Sequence, residues 1–193
     1  MNIALFFGSF NPFHNGHLNL GRYLTENKLF DEVWYVVSPL NPLKENVTEI
    51  IDEKLRYDMI SGAIVDFPEL KVSDVEFNMP KPSYTYQTLE KLRTNYPKLK
   101  FSIVIGSDNA LIFDKWVNYK TILRDFDVCV YPRHGFNFHD VSKLYPTMVL
   151  LNSVCYDISS TQIRTSIKEL KDVSELTHPF VCQYIYSNKL YLT

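Results

Sequence analysis

Long apolar runs and cysteines are both scarce in this sequence. No apolar run among its 193 residues approaches the roughly 20 needed to span a bilayer, so we expect no membrane association. The amino terminus, MNIALFFGSF, lacks a basic start and a small-residue cleavage site, and it therefore predicts a core strand rather than a signal peptide. The three cysteines, Cys129, Cys155 and Cys182, are far apart and form no Cys-x-x-Cys pair. Reduced thiols in a cytoplasmic protein are the simplest interpretation.

Net charge is also low. The 20 lysines and arginines stand against 22 acidic residues, for a net charge of -2. A general nucleic-acid binder normally carries a basic surface, so we expect no nucleic-acid partner, although local positive charge can still bind a small phosphorylated ligand. Linkers rich in Gly or Ser, repeats and low-complexity blocks are missing too. We expect a single domain over residues 1–193, with the helical part at about 159–193 packed on the same sheet.

Short apolar runs alternate with segments of helical period along the chain. The runs predict buried strands because parallel strands are apolar on both faces; they cover Asn2–Phe7, Val33–Val37, Phe101–Ile105, Asp127–Tyr131 and Thr147–Leu151, with a more alternating candidate at Lys71–Phe77. The predicted helices are His17–Asn27, Ile50–Asp66, Tyr86–Asn95, Trp116–Arg124, a segment after Ser159, and Pro179–Ser187. This alternation predicts an α/β fold: a doubly wound, mostly parallel sheet with helices on both faces.

The segment after the first predicted strand, GSFNPFHNGHL, opens a helix. His14 and His17 lie near that helix start, where free N–H groups and the helix dipole favour anions. Two imidazoles there add donors for phosphate oxygens. Three interpretations stay open: phosphate binding, a Gly-Pro turn with two incidental histidines, and a metal site. The last has poor ligand spacing because no cysteine or carboxylate cluster is near.

A second candidate anion site is the segment ISSTQIR, Ile158–Arg164. Ser159 and Gln162 have the spacing of a capping box, which predicts a helix start at this point. The hydroxyls of Ser160 and Thr161 and the planar fork of Arg164 would then be donors for phosphate oxygens. The segment alone is also compatible with a well-capped helix and nothing more.

Together, HNGH at His14–His17 and ISSTQIR resemble the nucleotidyltransferase family with a His-x-Gly-His loop and an Ile-Ser-Ser-Thr-x-x-Arg helix start. Within it the chain is similar, over essentially its whole length, to bacterial nicotinate-nucleotide adenylyltransferases. Further matching segments are SPLNPLK, PSYTYQTL, IGSDN, DKW and YPRHG. Two positions depart from the family pattern: Phe7 stands where a glycine is usual, and His134 where a proline is common.

The resemblance implies a Rossmann-like fold and transfer of AMP from ATP to nicotinate mononucleotide, giving deamido-NAD and pyrophosphate in NAD biosynthesis. It implies Mg²⁺ with ATP as co-substrate, with no metal ligands assigned in the protein. The acceptor phosphate is already anionic, with a second pKa near 6, so no strong general base is needed. Alignment and charge neutralisation at the α-phosphate are the expected sources of catalysis.

The resemblance also implies the site residues. The catalytic group is His14, His17, Lys44 and Arg164. ATP-binding residues are Gly8, Ser9, Phe10, His17, Gly106, Asp108, Ile158, Ser160, Thr161 and Arg164. Substrate-binding residues are Lys44, Tyr84, Thr85, Asp108, Trp116 and Arg133. From spacing alone, Asp108 is equally compatible with a helix N-cap and Trp116 with a core position.

Other functions stay open at this point. One is a related nucleotidyltransferase with another phosphorylated acceptor, such as phosphopantetheine or a phosphocholine-type molecule. Another is a nucleotide-binding sensor without catalysis. A class I synthetase fragment that binds tRNA fits poorly with the length and mild acidity. The sequence leaves assembly into a homo-oligomer undecided.

Overall fold

The computed structural model describes residues 1–40 and 50–192. Its sheet has six parallel strands in the order β3-β2-β1-β4-β5-β6. The strands are β1 (Asn2–Gly8), β2 (Glu32–Val37), β3 (Leu70–Ser73), β4 (Lys100–Gly106), β5 (Asp127–Tyr131) and β6 (Val149–Leu150). This order confirms the predicted Rossmann-like doubly wound sheet. From β1 the chain adds strands toward one edge of the sheet, and from β4 it adds them toward the other edge. Such sheets bind ligands at the place where this order reverses, here between β1 and β4.

Helices connect and follow these strands. In the described residues they are α1 (Asn15–Glu26), α2 (Glu53–Ala63), α3 (Thr85–Asn95), α4 (Ser107–Ala110), α5 (Tyr119–Asp125), α6 (Phe138–Leu144), α7 (Ser160–Lys168) and α8 (Pro179–Ser187), with a short 3-10 helix at Phe113–Lys115. None of the helices in the described part of the chain is both long and apolar enough to cross a bilayer.

Two apolar clusters cover the two faces of the sheet, and alternation along β1 separates them. Ala4 and Phe6 point into one cluster, whereas Ile3 and Leu5 point into the other, as expected from the two-residue period of a strand. The first cluster includes residues of α1, α2, α7 and α8, and the second residues of α3, α5 and α6. The carboxyl-terminal helices thus share the core of α1. That the whole chain is one domain stays a prediction.

Several predicted boundaries differ from the structure. The predicted strand Thr147–Leu151 is reduced to the two residues of β6, and the predicted helix Ile50–Asp66 begins only after Asp52. The side chain of Asp52 accepts a hydrogen bond from the backbone N–H of Lys54 and so caps the helix. Helix α6 is missing from the predicted helices; it begins where the side chain of Asn137 accepts a hydrogen bond from the backbone N–H of His139 and so caps it.

Candidate active site

A cavity of about 500 Å³ opens at the carboxyl ends of β1, β2, β4 and β5. The register of the sheet brings these ends together, since Gly8 pairs with Val37 and Gly106 with Tyr131. Fourteen of the predicted site residues line it: Gly8, Ser9, Phe10, His14, His17, Tyr84, Thr85, Gly106, Asp108, Trp116, Arg133, Ser160, Thr161 and Arg164. Phe7 lines it as well. The sheet therefore gathers loops that are distant in sequence into one cleft.

Ile158 is not part of the described lining. Ile158 packs its side chain against the apolar core, because the chain only turns toward the cavity at the following serines. Any contact of Ile158 with a nucleotide would have to come from its backbone. Lys44 lies outside the described residues, and its role stays a prediction.

The two helix starts that the sequence marks as candidate anion sites meet directly. The Ser160 hydroxyl donates to the carbonyl of Pro12 at 2.9 Å, and the Arg164 guanidinium donates to the carbonyl of Asn11 at 2.9 Å. Ser159 caps α7 by accepting from the backbone N–H of Gln162, as its spacing predicts. The amino terminus of α7 is therefore held against the loop that precedes α1, although the two segments lie about 150 residues apart.

His14 is the N-cap residue of α1 and is almost fully buried. Burial, and secondarily the positive charge of Arg133, lowers the pKa of His14 from 6.5 to about 3, so its imidazole is neutral at pH 7. Within the described chain its Nδ1 atom has no hydrogen-bond partner. His14 also lines the cavity, so its neutral imidazole forms part of the cavity wall.

His17 is oriented by its neighbours. The backbone N–H of His14 donates to Nδ1 of His17 at 3.3 Å, which leaves Nε2 as the protonated nitrogen of the neutral ring. The imidazole stacks on the His14 ring with centroids 3.6 Å apart, and it stacks on Phe13 from the other side. His17 is thereby held as a hydrogen-bond donor at the cavity wall.

Positive charge dominates the cavity. Lys115, Arg133 and Arg164 line it, and Asp108 is the acidic residue in its described lining. Asp108 has an Oδ1 atom 4.0 Å from Nε of Arg133, and this atom is buried without a hydrogen-bond partner in the described chain. A carboxylate in this state is a ready acceptor for hydroxyl groups. Lys115 is a cavity residue that the sequence analysis missed. It stands in the DKW segment, in which the resemblance assigns a role only to Trp116.

Trp116 lines the same cavity as Asp108 and Arg133. One face of its indole packs on Phe113, with centroids 4.9 Å apart, while the residue also lines the cavity. Its Nε1 atom is buried and has no partner among the described residues. The placement suits stacking of a planar ring, as the resemblance implies.

A side chain at Gly106 would disturb these groups. A Cβ there would meet Oδ1 of Asp108 and would come within 2.8 Å of Cγ of Arg133. We expect Gly106→Ala to lower kcat/KM by about 10- to 100-fold, because displacing positioning groups by about 1 Å is enough for such losses. Steady-state kinetics would measure the change. Ser102→Ala, on the same strand but away from the cavity, is the control; equal kinetics in both variants would contradict the argument.

Comparison with known proteins agrees with this geometry. A protein of Flavobacterium johnsoniae named "Probable nicotinate-nucleotide adenylyltransferase" is 42% identical over 192 residues, which cover 99% of both chains. A protein of the same name from Bacteroides thetaiotaomicron is 43% identical over 96% of this chain and 91% of its own. The chain belongs to the nicotinate-nucleotide adenylyltransferase family. Residues 5–166 also match the family model described as Cytidylyltransferase-like.

A solved structure extends the likeness of the fold. The Plasmodium falciparum nicotinic acid mononucleotide adenylyltransferase, complexed with NaAD, superposes with a TM-score of 0.84 over 98% of this chain and 97% of its own, at 21% identity. At that identity the likeness concerns the fold.

A metal ion at this site needs ligands from the chain or from a substrate. The described residues contain no group of three or more His, Cys, Asp or Glu side chains that would hold an ion. Mg²⁺ commonly binds through substrate phosphates and water with only one or two carboxylates, and the single acidic residue in the described cavity lining fits that mode. Mg²⁺ brought in with ATP is therefore compatible with this chain.

Proposed function

We propose that this chain transfers AMP from ATP to nicotinate mononucleotide and releases pyrophosphate and deamido-NAD. The observation that carries the proposal is the junction of the two helix starts, in which Ser160 and Arg164 are hydrogen-bonded to the loop before His14. One triphosphate can therefore contact donors from both motifs in one cleft. Membership of the family supports the acceptor.

The reaction needs positioning more than bond-making groups. An oxygen of the acceptor's phosphate attacks the α-phosphorus of ATP. The bond from that phosphorus to the bridging oxygen breaks, and its electron pair leaves with pyrophosphate. Because the acceptor phosphate is anionic at pH 7, the protein has no proton to remove. When bound, Mg²⁺ would neutralise charge on the outgoing pyrophosphate.

Each motif has a part in this scheme. His14 and His17 contribute donors beside the reacting phosphate, where charge accumulates in the transition state. Arg164, with Thr161 and the backbone N–H of Ser160, holds the β- and γ-phosphates, and a planar guanidinium suits phosphate oxygens. The hydroxyl of Ser160, expected from the sequence to be a phosphate donor, instead donates its one proton to Pro12. Gly8, Ser9 and Phe10 line the nucleotide side. Lys44 is proposed as a further cation for the phosphates on family grounds.

The acceptor would occupy the opposite side of the cavity. Tyr84 is the N-cap of α3 and has no side-chain cap bond, so the first amides of that helix are donors for an anion. Tyr84 and Thr85 both line the cavity, as do Trp116 and Asp108. Amides bind the nicotinate carboxylate, the indole stacks on the pyridine ring, and Asp108 accepts from ribose hydroxyls. Arg133, next to Asp108, would steady that carboxylate and the acceptor phosphate.

Product analysis tests the proposal and its selectivity. With ATP and Mg²⁺, the protein is expected to form deamido-NAD from nicotinate mononucleotide. It should use nicotinamide mononucleotide at least about tenfold less efficiently, because charge-assisted hydrogen bonds to a carboxylate exceed those to a carboxamide. Chromatography of parallel reactions measures both. Absence of any dinucleotide would reject the function, and equal kcat/KM for the two acceptors would reject the selectivity.

A further inference from the structure

In the described chain Arg56 is the largest fully buried side chain, although Asp52, Glu53 and Lys54 are its neighbours in sequence. Its guanidinium reaches backbone carbonyl oxygens rather than a carboxylate. Nε donates to Ile51 at 3.0 Å, and the terminal nitrogens donate to Ser9, Ser38 and Pro39. Burial lowers the pKa of Arg56 from its usual value, and the carbonyl dipoles offset part of the cost of burying the charge.

These carbonyls belong to two different loops. Ser9 follows β1 in the phosphate-binding loop, whereas Ser38 and Pro39 follow β2. Ser9 and Ser38 both line the cavity. Because one rigid guanidinium contacts both loops, neither can shift without breaking a hydrogen bond to a buried cation. Arg56 therefore sets the separation of two cavity walls without lining the cavity itself.

Glu76 is a second buried charged residue, 2% exposed, in the chain after β3. Its carboxylate accepts hydrogen bonds from the hydroxyls of Ser83 and Thr88, and the side chain of Ser38 lies beside it. Ser83 lies just before the N-cap Tyr84 of α3, and Thr88 lies one turn into that helix. Glu76 is thus hydrogen-bonded to residues on both sides of the start of α3.

Ser38 joins the two buried groups. Its carbonyl accepts from Arg56, and its side chain lies beside the carboxylate of Glu76. A path of neighbouring buried polar groups therefore runs from the phosphate-binding loop at Ser9, through Arg56, Ser38 and Glu76, to the first turn of α3. Buried polar networks of this kind rigidify a structure.

We propose that Arg56 and Glu76 are positioning residues that hold the phosphate-binding loop and the amino terminus of α3 in a fixed relation through Ser38. This inference rests on the proposed function, since it assigns the two ends of the path to ATP and to the pyridine mononucleotide. Neither residue touches the reacting atoms. Their effect is on the alignment of one substrate against the other.

The two ends of the path predict different kinetic signatures. Without Glu76, the amides of α3 lose their orientation, and the KM for nicotinate mononucleotide is expected to rise about tenfold while the KM for ATP stays within about twofold. Arg56→Lys cannot reach four carbonyls with one ammonium group. We expect it to lower kcat by about tenfold, because the two loops lose their common anchor.

The test compares Glu76→Ala, Glu76→Gln and Arg56→Lys with the full-length wild type. Each substrate is varied in turn, calorimetry measures binding of a nonhydrolysable ATP analogue and of nicotinate mononucleotide, and thermal melting measures stability. Val128→Ala, a cavity-forming change at the far end of β5, is the matched control: it lowers stability without touching the path.

If Glu76→Ala does not fold, Ser83→Ala and Thr88→Val each remove one hydroxyl from the same carboxylate and should raise the acceptor KM alone.

Two outcomes support the inference: a KM rise confined to the acceptor in the Glu76 series with partial rescue by Glu76→Gln, and non-additive losses when Glu76→Gln is combined with Arg56→Lys. Variants that only melt earlier, with constants like those of Val128→Ala, would overturn it, and so would strictly additive losses. A wild type that forms no dinucleotide would overturn the proposed function instead. The two failures are therefore distinguishable.

Discussion

His17→Ala is expected to lower turnover by about 100- to 1,000-fold, the usual effect of removing one hydrogen-bond donor from a developing oxyanion. The backbone N–H of His14 occupies Nδ1 of His17, so the lost group is the Nε2–H donor at the cavity wall. Thermal melting should show a folded protein, since the apolar cluster around Phe10 and Phe13 keeps its other members. Pyrophosphate release at saturating substrates measures the loss.

The matched control is His139→Ala, because His139 is an exposed histidine on α6. It should leave turnover unchanged. Near-normal activity of His17→Ala would show that the imidazole of His17 does not contribute to the reaction. His17→Gln retains an N–H donor on a side chain of different reach, and it should recover a part of the lost turnover if donation is the role.

Arg164→Ala is expected to lower kcat/KM for ATP by about 100-fold or more, since hydrogen bonds between guanidinium and phosphate are among the strong charge-assisted ones. The change also removes the bond to the carbonyl of Asn11 that ties α7 to the phosphate-binding loop. Calorimetry with a nonhydrolysable ATP analogue should show weaker binding, while binding of nicotinate mononucleotide alone should change little.

Arg164→Lys separates charge from geometry. A lysine preserves the positive charge but cannot form a planar fork, so it should recover only a small part of the activity. Arg22→Ala, which removes an exposed arginine paired with Glu26 on α1, is the control for loss of one positive charge and should behave as wild type. If Arg164→Ala binds the analogue as tightly as wild type does, Arg164 is not a phosphate ligand.

Local patterns in the sequence were sufficient for the sheet and for both helix starts. The apolar run Asp127–Tyr131 and the predicted helix Pro179–Ser187 have the bounds observed for β5 and α8, because burial on both faces and a proline at a helix start leave distinct traces in sequence. The capping serine of α7 was also predictable. The sequence marked α6 poorly, since its segment is rich in turn-forming residues.

Only the tertiary structure decided how these pieces combine. Joining α7 to the loop before α1 depends on a hydrogen bond between residues 153 positions apart, and no local pattern encodes such a distance. Arg56 shows the same limit: its place among charged residues predicts exposure, yet its long side chain reaches carbonyls of two loops that come close only when the sheet forms. Glu76 carried no local signal at all. Sequence periodicity reports which face of an element is apolar, whereas the partner of a buried charge is set by how distant elements pack.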